Sequence, residues 1–404
     1  MNNILFTYFT GIPDKNVGGG NRIIAEIISN FNSEDYNFYF LSDYFKSFIR
    51  VNRFNYETST NPIPIKKKYG AKIFRKNSFY RNLTFSQAYQ NYYLNRIRKK
   101  FESIKSEEFN VIHSHDTLSS GIFRSVQNSK KILTIQSKGS LCADLGEKFY
   151  NKNKRKKWIQ KFQEYEFNNF LNADVVTFPS IAAKDLFLKD LNIPDRYSKK
   201  IKIIYNGADV NFINEIKPSD VLSKYNVGAG NYDFIIINVA SHLKLKNIDK
   251  ILQVIDFLKL QSNTNPLLIN VGIGPLTNLL IQMTRKLNLV DNVKFLGQVS
   301  NMDIIRMMKS SDVYISLGER VIFDFVVLEA LASGIPVVAS KEGGNNEIIK
   351  DGENGFLVNI RNIPDISKKI VKCVGEKFKH KGISLESKFT ISNMVLEYKK
   401  LYNE

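Results

Sequence analysis

The chain has 404 residues, of which 43% are hydrophobic, and it carries a formal net charge of +19. This length exceeds that of one ordinary hydrophobic core, so two folded domains are expected. No run of about 18 apolar residues occurs, so no membrane-spanning helix is expected. The first ten residues lack the basic start of a signal peptide, and the two cysteines fit reduced thiols of a cytoplasmic protein.

Strands and helices alternate along the first half of the chain. A buried strand over residues 4–10 leads into a glycine-rich loop with Gly18, Gly19 and Gly20, and a helix follows over residues 23–31. Further strands are predicted at residues 36–41, 111–112, 131–136, 174–178 and 201–205, and helices at 85–106, 158–171 and 181–191. The strand that starts at residue 111 ends in His115 and Asp116.

The second half begins a new series after a break near residues 208–230. Strands are predicted at residues 233–239, 266–271, 293–296, 313–316, 336–339 and 356–358, and helices at 248–261, 276–287, 301–310 and 391–402. Such alternation indicates parallel sheets with helices on both faces, an α/β fold of two doubly wound domains. Ligands of such sheets bind beyond the carboxyl ends of the strands, so the turn motifs are expected to converge on one cleft between the domains.

The most informative segment is the apolar stretch over residues 323–340, in which a helix carries one acid, Glu329. A buried carboxylate needs a partner, and a helix N-terminus that faces a crevice attracts an anion. A ligand with a phosphate and a ribose would supply an anion for the helix N-terminus and hydroxyl groups for the carboxylate. The alternative is an ordinary helix and strand with Glu329 at the solvent edge.

Several motifs occur in a familiar order and spacing. They are residues 173–180 (ADVVTFPS), 204–209 (IYNGAD), 238–249 (NVASHLKLKNID), 271–275 (VGIGP), 293–299 (VKFLGQV), 323–340 and 351–358 (DGENGFLV). In these motifs the chain resembles the retaining GT-B glycosyltransferases of family 4. The resemblance implies transfer of a sugar from a nucleotide donor, most often a UDP-sugar, to an acceptor hydroxyl, with retention and without a metal or other cofactor.

The resemblance also implies a domain organisation. Residues 1–210 match an acceptor-binding Rossmann-like domain, residues 211–385 match a Rossmann-like domain that binds the nucleotide-sugar, and residues 386–404 match a C-terminal helix that packs back on the first domain. The acceptor is expected to be a bacterial surface glycan or a lipid-linked glycan. A catalytically silent GT-B subunit that binds an acceptor protein or a partner glycosyltransferase is the alternative function.

The family's donor-binding roles fall on definite positions of this sequence. Glu329 matches the second glutamate of the Glu-x7-Glu motif, which holds the donor ribose. Lys246 matches the lysine that neutralises the diphosphate. The remaining matches are the backbone of Phe323, Asp324 and Phe325 for the diphosphate and sugar, Gly274, Gln298 and Val299 for the base pocket, and Gly18, Gly19 and Gly20 for close approach to the phosphates. His115 matches a histidine that faces the reacting sugar, and Asp116 beside it is a second candidate for orienting sugar or acceptor.

Three positions depart from the family's pattern. Val321 stands where the first glutamate of the motif is expected, Ser241 where a diphosphate-binding arginine is usual, and Gln136 where a histidine is common. Sugar or acceptor contacts are therefore sought at nearby polar residues, which are Gln136, Lys138, Glu319 and Arg320. A buried polar ligand that misses one hydrogen bond from its site binds more weakly by about 1–3 kcal/mol.

Residues 66–101 hold eleven lysines and arginines, no acidic residue and many aromatic side chains. Basic residues mixed with aromatic ones suit an anionic membrane surface. A solvated surface face is the alternative, and no nucleic-acid-binding module is recognisable. The sequence thus predicts a cytoplasmic protein that is peripheral on the inner face of the plasma membrane and does not bind nucleic acid.

Overall fold

The computed structural model describes residues 2–8, 20–31, 34–41, 49–51, 87–102, 108–137, 139–141, 152–217, 220–228, 232–375 and 383–404. The chain divides into two compact units. The N-terminal unit comprises Met1–Tyr205 and Val395–Glu404, and the C-terminal unit comprises Asn206–Met394. The last helix, Ile391–Asn403, therefore begins in one unit and ends in the other.

The N-terminal unit is built on a seven-stranded sheet with the order β3-β2-β1-β4-β5-β6-β7. The strands are β1 (Asn2–Thr7), β2 (Tyr36–Leu41), β3 (Ile49–Val51), β4 (Val111–Ser114), β5 (Lys130–Thr134), β6 (Val175–Phe178) and β7 (Ile201–Ile203). All neighbours pair in parallel except β3, which is antiparallel to β2. Ile4, Leu5 and Phe6 of β1 are fully buried, as expected for a parallel strand covered on both faces.

Helices of the N-terminal unit connect these strands. They are Gly20–Asn30, Gln87–Glu102, Thr117–Ser120, Lys152–Asn172 and Ile181–Asp190. The strand order reverses between β1 and β4, and such a switch point opens a crevice at the carboxyl ends of the two strands. Tyr8 follows β1 and His115 follows β4, so both lie at this position.

The C-terminal unit has an all-parallel six-stranded sheet with the order β10-β9-β8-β11-β12-β13. Its strands are β8 (Phe234–Val239), β9 (Pro266–Val271), β10 (Val293–Gly297), β11 (Val313–Ser316), β12 (Val337–Ser340) and β13 (Gly355–Val358). Its helices are Val210–Glu215, Val221–Lys224, Ile248–Gln261, Thr277–Lys286, Asn301–Lys309, Phe325–Ala332, Asn345–Ile348 and Ile363–Val374. Here the order reverses between β8 and β11.

The core of the C-terminal unit forms between its sheet and the helices. Ile251, Leu252 and Ile255 of the Ile248–Gln261 helix are fully buried in one cluster with Ile236 of β8 and Leu268 of β9. Full burial of each such side chain contributes about 1.5–3 kcal/mol to folding. This core fixes the strand ends from which the functional loops of the unit emerge.

The predicted α/β class with two doubly wound, mostly parallel sheets is confirmed. The sequence did not predict β3. It predicted a strand over residues 131–136, whereas the observed strand β5 ends two residues earlier, at Thr134. None of the helices in the described ranges combines the length and the apolar character needed to cross a bilayer.

Candidate functional site

In the C-terminal unit, the loop over residues 240–247 after β8 (the lysine loop) contacts the loop over residues 318–324 after β11 (the motif loop). The lysine loop includes a short 3-10 turn over Lys244–Lys246, and its Leu245 carbonyl accepts a 2.8 Å hydrogen bond from the amide of Glu319. A Cβ atom placed on Gly318 would lie 3.8 Å from Lys246 Cδ and 3.6 Å from Val321 Cγ2. Lys246 and Val321 therefore flank the same glycine, whereas Ser241 is exposed at the end of β8.

The ends of β8, β9 and β10 approach one another backbone to backbone. Gly272, with a φ of +130°, lies so close to the carbonyl of Ala240 that no side chain would fit. A Cβ on Gly274 would lie 2.7 Å from the carbonyl oxygen of His242 and 2.8 Å from the backbone nitrogen of His242. The Gly272 amide also donates a 2.8 Å bond to the Gly297 carbonyl. Glycine is required here because the three loops pack without intervening side chains.

The predicted wall residues follow the last of these loops. Gln298 is exposed and Val299 is half-buried. Together with Gly274 they lie in the loops that end β9 and β10, whose neighbouring positions are joined by the bond between Gly272 and Gly297.

A buried polar chain, which sequence reasoning missed, holds these loops in place. His242 Nε2 lies 2.7 Å from Asn270 Oδ1, Asn270 Nδ2 donates to Asn238 Oδ1 at 2.9 Å, and Asn238 Nδ2 donates to the Ile315 carbonyl at 2.7 Å. Since Asn270 Oδ1 can only accept, His242 Nε2 is the donor and carries a proton. Nδ1 lies 2.8 Å from Thr277 Oγ1. Burial lowers the pKa of His242, and the bond to Asn270 opposes this shift in pKa.

Glu329 lies on the Phe325–Ala332 helix and is 4% exposed. The N-cap residue of this helix is Asp324, whose Oδ1 accepts a 3.1 Å bond from the Val326 amide. Asp324 Oδ2 accepts a 3.3 Å bond from Ser316 Oγ at the end of β11. Burial raises the pKa of the Tyr314 hydroxyl well above its usual value, with smaller contributions from the charges of Asp324 and Glu329. Both carboxylates therefore act on the same part of β11.

The motif loop from residue 318 to residue 324 is clamped by the loop after β12. Ser340 Oγ donates to the Gly318 carbonyl at 2.5 Å, and the Gly344 amide donates to the Ile322 carbonyl at 3.2 Å. Gly343, with a φ of +51°, lies directly against the Val321 carbonyl. The backbone of the loop is thus fixed although the expected glutamate is absent.

Side chains of the motif loop face different surroundings. Phe323 is 7% exposed and its ring lies 5.7 Å from that of Phe389, so its side chain belongs to the core. Arg320 has a left-handed φ of +57°. Glu319, Arg320, Asp324 and Phe325 are partly exposed. Only some of the predicted donor-binding positions therefore carry a partly exposed side chain, and the side chain of Phe323 is buried.

In the N-terminal unit, His115 is buried at the end of β4. Its side chain is 1% exposed, and its ring centre lies 4.2 Å from that of His113 and 5.9 Å from that of Phe6. Neither ring nitrogen has a hydrogen-bond partner among the residues that the structure describes. Burial lowers the pKa of His115 to about 3, so the imidazole is neutral at pH 7.

Asp116 caps the Thr117–Ser120 helix. Its Oδ1 accepts a 2.7 Å bond from the Ser119 amide and its Oδ2 a 2.8 Å bond from Ser119 Oγ. Burial, assisted by the charge of Asp116, raises the pKa of Tyr8 to about 12. The switch point of this unit thus brings together a neutral imidazole, a protonated phenol and a carboxylate that is already hydrogen-bonded.

His113, which the sequence did not single out, bridges two parts of the N-terminal unit. Its Nδ1 lies 2.7 Å from the Tyr402 hydroxyl and its Nε2 lies 2.6 Å from Thr134 Oγ1. Burial and the neighbouring His115 lower its pKa well below 6.5. His113 therefore joins β4 and β5 to the last helix as a neutral side chain.

The other predicted positions of this unit are described only in part. Gln136 is half-buried just after β5, and its Nε2 has no hydrogen-bond partner within the described ranges. Gly20 begins the Gly20–Asn30 helix. Gly18, Gly19 and Lys138 lie outside the described residues.

Comparisons with known proteins agree with this architecture. Residues 224–383 match a family model described as glycosyl transferases group 1, and residues 17–212 match a model described as glycosyltransferase family 4. Among solved structures, the Anabaena protein HepE in complex with UDP and glucose has a TM-score of 0.68 and 17% identity, and the match covers 99% of both chains. At this identity the likeness concerns the fold.

Sequence similarity to curated relatives extends over parts of the chain. The N-acetyl-alpha-D-glucosaminyl L-malate synthase of Bacillus anthracis is 24% identical over 236 residues, 57% of this chain and 59% of the relative. The UDP-Gal:alpha-D-GlcNAc-diphosphoundecaprenol alpha-1,3-galactosyltransferase of Escherichia coli is 28% identical over 200 residues, 48% of this chain and 49% of the relative. The chain therefore spans about half the length of these relatives. From the two family models and the shared fold, the chain belongs to the glycosyltransferases of the family 4 type with the GT-B fold.

Proposed function

We propose that this protein transfers a sugar from a nucleotide donor, a UDP-sugar, to a hydroxyl of a bacterial surface glycan or lipid-linked acceptor, with retention of the anomeric configuration. The names of the two curated relatives support a hexosyl or N-acetylhexosaminyl group as the transferred sugar. The observation that carries the proposal is the clamped motif loop of the C-terminal unit. It lies against Lys246 and leads directly into the helix that buries Glu329.

The donor would be held by three parts of the C-terminal unit. The glycine-tight ends of β9 and β10 would accept the base, and Glu329 would accept hydrogen bonds from the ribose hydroxyls. Lys246 is the compact cation beside the motif loop, and it would bind the diphosphate. As the bond to the sugar breaks, negative charge grows on the leaving diphosphate, so a fixed ammonium group stabilises the transition state more than the ground state.

The N-terminal unit would bind the acceptor. His115 is proposed to contact the reacting sugar as a neutral imidazole, because a ligand hydroxyl would satisfy ring nitrogens that lack a partner among the described residues. Asp116 would act through its cap on the Thr117–Ser120 helix, since Ser119 already binds both of its oxygens. No protein nucleophile is assigned to the retaining reaction.

Donor consumption distinguishes this enzyme from a silent GT-B subunit. UDP release would be measured with a panel of UDP-sugars for the wild type, Lys246→Ala, Glu329→Ala and the matched control Lys244→Ala, which removes an exposed lysine of the same turn. The proposal predicts UDP release that both site variants reduce by more than tenfold and that the control retains. The proposal would be overturned if no donor gave UDP release and the protein also failed to bind UDP.

A further inference from the structure

The position at which the family's pattern places a sugar-binding carboxylate holds no polar side chain. Val321 is 9% exposed, its Cγ2 points at Gly318, and its carbonyl lies against Gly343. A valine side chain cannot accept a hydrogen bond from a sugar hydroxyl. If the site binds a nucleotide-sugar, another group has to supply the acceptor, because a sugar hydroxyl left without a partner in a closed site costs about 1–3 kcal/mol.

Asp324, at the other end of the motif loop, has the required chemistry. Its two oxygens each accept one bond, from the Val326 amide at 3.1 Å and from Ser316 Oγ at 3.3 Å. A carboxylate offers about four acceptor positions, so these two bonds leave capacity for a ligand. The side chain is partly exposed, and it stands at the N-terminus of the eight-residue helix that carries Glu329, an end that favours negative charge.

The same contacts make Asp324 unfavourable for a phosphate. The Val326 amide is one of the helix-end donors available to an anion, and here the carboxylate occupies it. The negative charge of the Asp324 carboxylate would also repel a diphosphate that approached this helix end. Asp324 is therefore suited to the part of the donor that carries hydroxyl groups and no charge.

We propose that Asp324 accepts hydrogen bonds from the hydroxyls of the donor's sugar, in place of the glutamate that the family's pattern has at position 321, and leaves the diphosphate to Lys246. This inference rests on the proposed function, since it assigns a residue to the donor site of the C-terminal unit. The transferred group is then an uncharged sugar with hydroxyls that reach the helix N-terminus. Asp324 makes the enzyme distinguish a UDP-sugar from UDP alone.

The test compares the affinity for UDP with that for a UDP-sugar, both measured by calorimetry on the full chain. The UDP-sugar is the one that the wild type binds most tightly among UDP-glucose, UDP-galactose and UDP-N-acetylglucosamine. The variants are Asp324→Asn, which keeps a good N-cap residue, and Asp324→Gly. Asp249→Asn is the control, because it removes an acid in the first turn of another helix of the same unit.

The expected result is opposite changes for the two ligands. Removing the charge of Asp324 strengthens UDP binding by a few fold and weakens sugar binding, so that the preference for the UDP-sugar falls roughly tenfold to hundredfold. The control keeps the wild-type ratio. Adding Val321→Glu to Asp324→Gly restores much of the preference, because it returns a carboxylate to the motif.

If the variants only lose the helix cap, the affinities for both ligands fall together and their ratio stays unchanged. This outcome would overturn the inference while leaving the proposed function intact. A ratio that changes in Glu319→Gln and not in Asp324→Asn would transfer the role to Glu319 and overturn it as well. Absence of any UDP binding by the wild type would instead contradict the proposed function, on which the inference depends.

Discussion

Replacing His115 tests whether a neutral imidazole, with no hydrogen-bond partner among the described residues, is buried in the N-terminal unit. The folded-state pKa is about 3, and the unfolded-state pKa is about 6.5. Because folding depresses this pKa, the contribution of His115 to stability is complete above pH 6.5 and is lost as the pH falls toward 3. The loss is about 1.4 kcal/mol for each pH unit, or about 2 kcal/mol at pH 5.

His115→Leu removes both the titration and the buried polar atoms at a similar volume, whereas His115→Gln removes the titration alone. Both variants are expected to lose about 2 kcal/mol less stability than the wild type between pH 7 and pH 5. At pH 7 the leucine variant should be more stable than the glutamine variant by about 1–3 kcal/mol, since a buried polar group without a partner carries this cost.

Urea unfolding followed by tryptophan fluorescence measures these differences. Trp158 is the single tryptophan of the chain and belongs to the N-terminal unit, so the signal reports on the unit that contains His115. Burial lowers the pKa of His113 in all three proteins, and the smaller contribution of His115 to that shift is lost in both variants, so the comparison includes it. Parallel loss of stability with falling pH in all three proteins would refute the buried neutral histidine.

Three further predictions concern other parts of the molecule. Gly274→Ala should weaken UDP binding and cost about 1–3 kcal/mol of stability, because its Cβ would lie 2.7 Å from the His242 carbonyl oxygen; calorimetry and thermal unfolding measure both, and unchanged values would contradict the tight loop packing. Asp303→Asn should destabilise the C-terminal unit by about 1–2 kcal/mol at pH 7, because Asp303 is 4% exposed and Lys224 Nζ lies 2.6 Å from it. The bond to Lys224 holds the pKa of Asp303 well below its usual value, so this stabilisation is present above pH 4 and is lost in stronger acid, and a variant whose stability equals that of the wild type at pH 7 would refute it. The chain should float with vesicles that contain anionic lipid and not with neutral vesicles if the basic segment over residues 66–101 binds a membrane; equal recovery in both flotation assays would reject this proposal.

The sheets could be predicted from the sequence because their strands are short apolar runs separated by helical periods. The strands predicted over residues 233–239 and 266–271 lie side by side in the sheet as β8 and β9. The polar chain of His242, Asn270 and Asn238 was not predicted, although the sequence carries a sign of it. Asn238 and Asn270 interrupt otherwise apolar strands at the same position, and they pair directly with each other.

Other parts of the site could not be read from one sequence. Besides its local cap bond from the Val326 amide, Asp324 accepts a bond from Ser316 at the end of β11, and this second pairing requires the folded sheet. The burial of His115 arises from its position at the end of β4, where its amide donates to the Thr7 carbonyl at the end of β1, and the order of strands in the sequence does not reveal this pairing. Residue type identified the candidates, and three-dimensional packing determined which atoms remain available for a ligand.

The central claim is that the buried carboxylate of Glu329 binds the ribose of a uridine diphosphate donor. Calorimetric affinities for UDP and for 2′,3′-dideoxy-UDP, measured with the wild type and with Glu329→Gln, test it most directly. The wild type should prefer UDP by roughly tenfold to hundredfold, as expected for hydrogen bonds to a charged group, and the variant should lose most of this preference. An equal preference in both proteins, or no UDP binding by the wild type, would contradict the account.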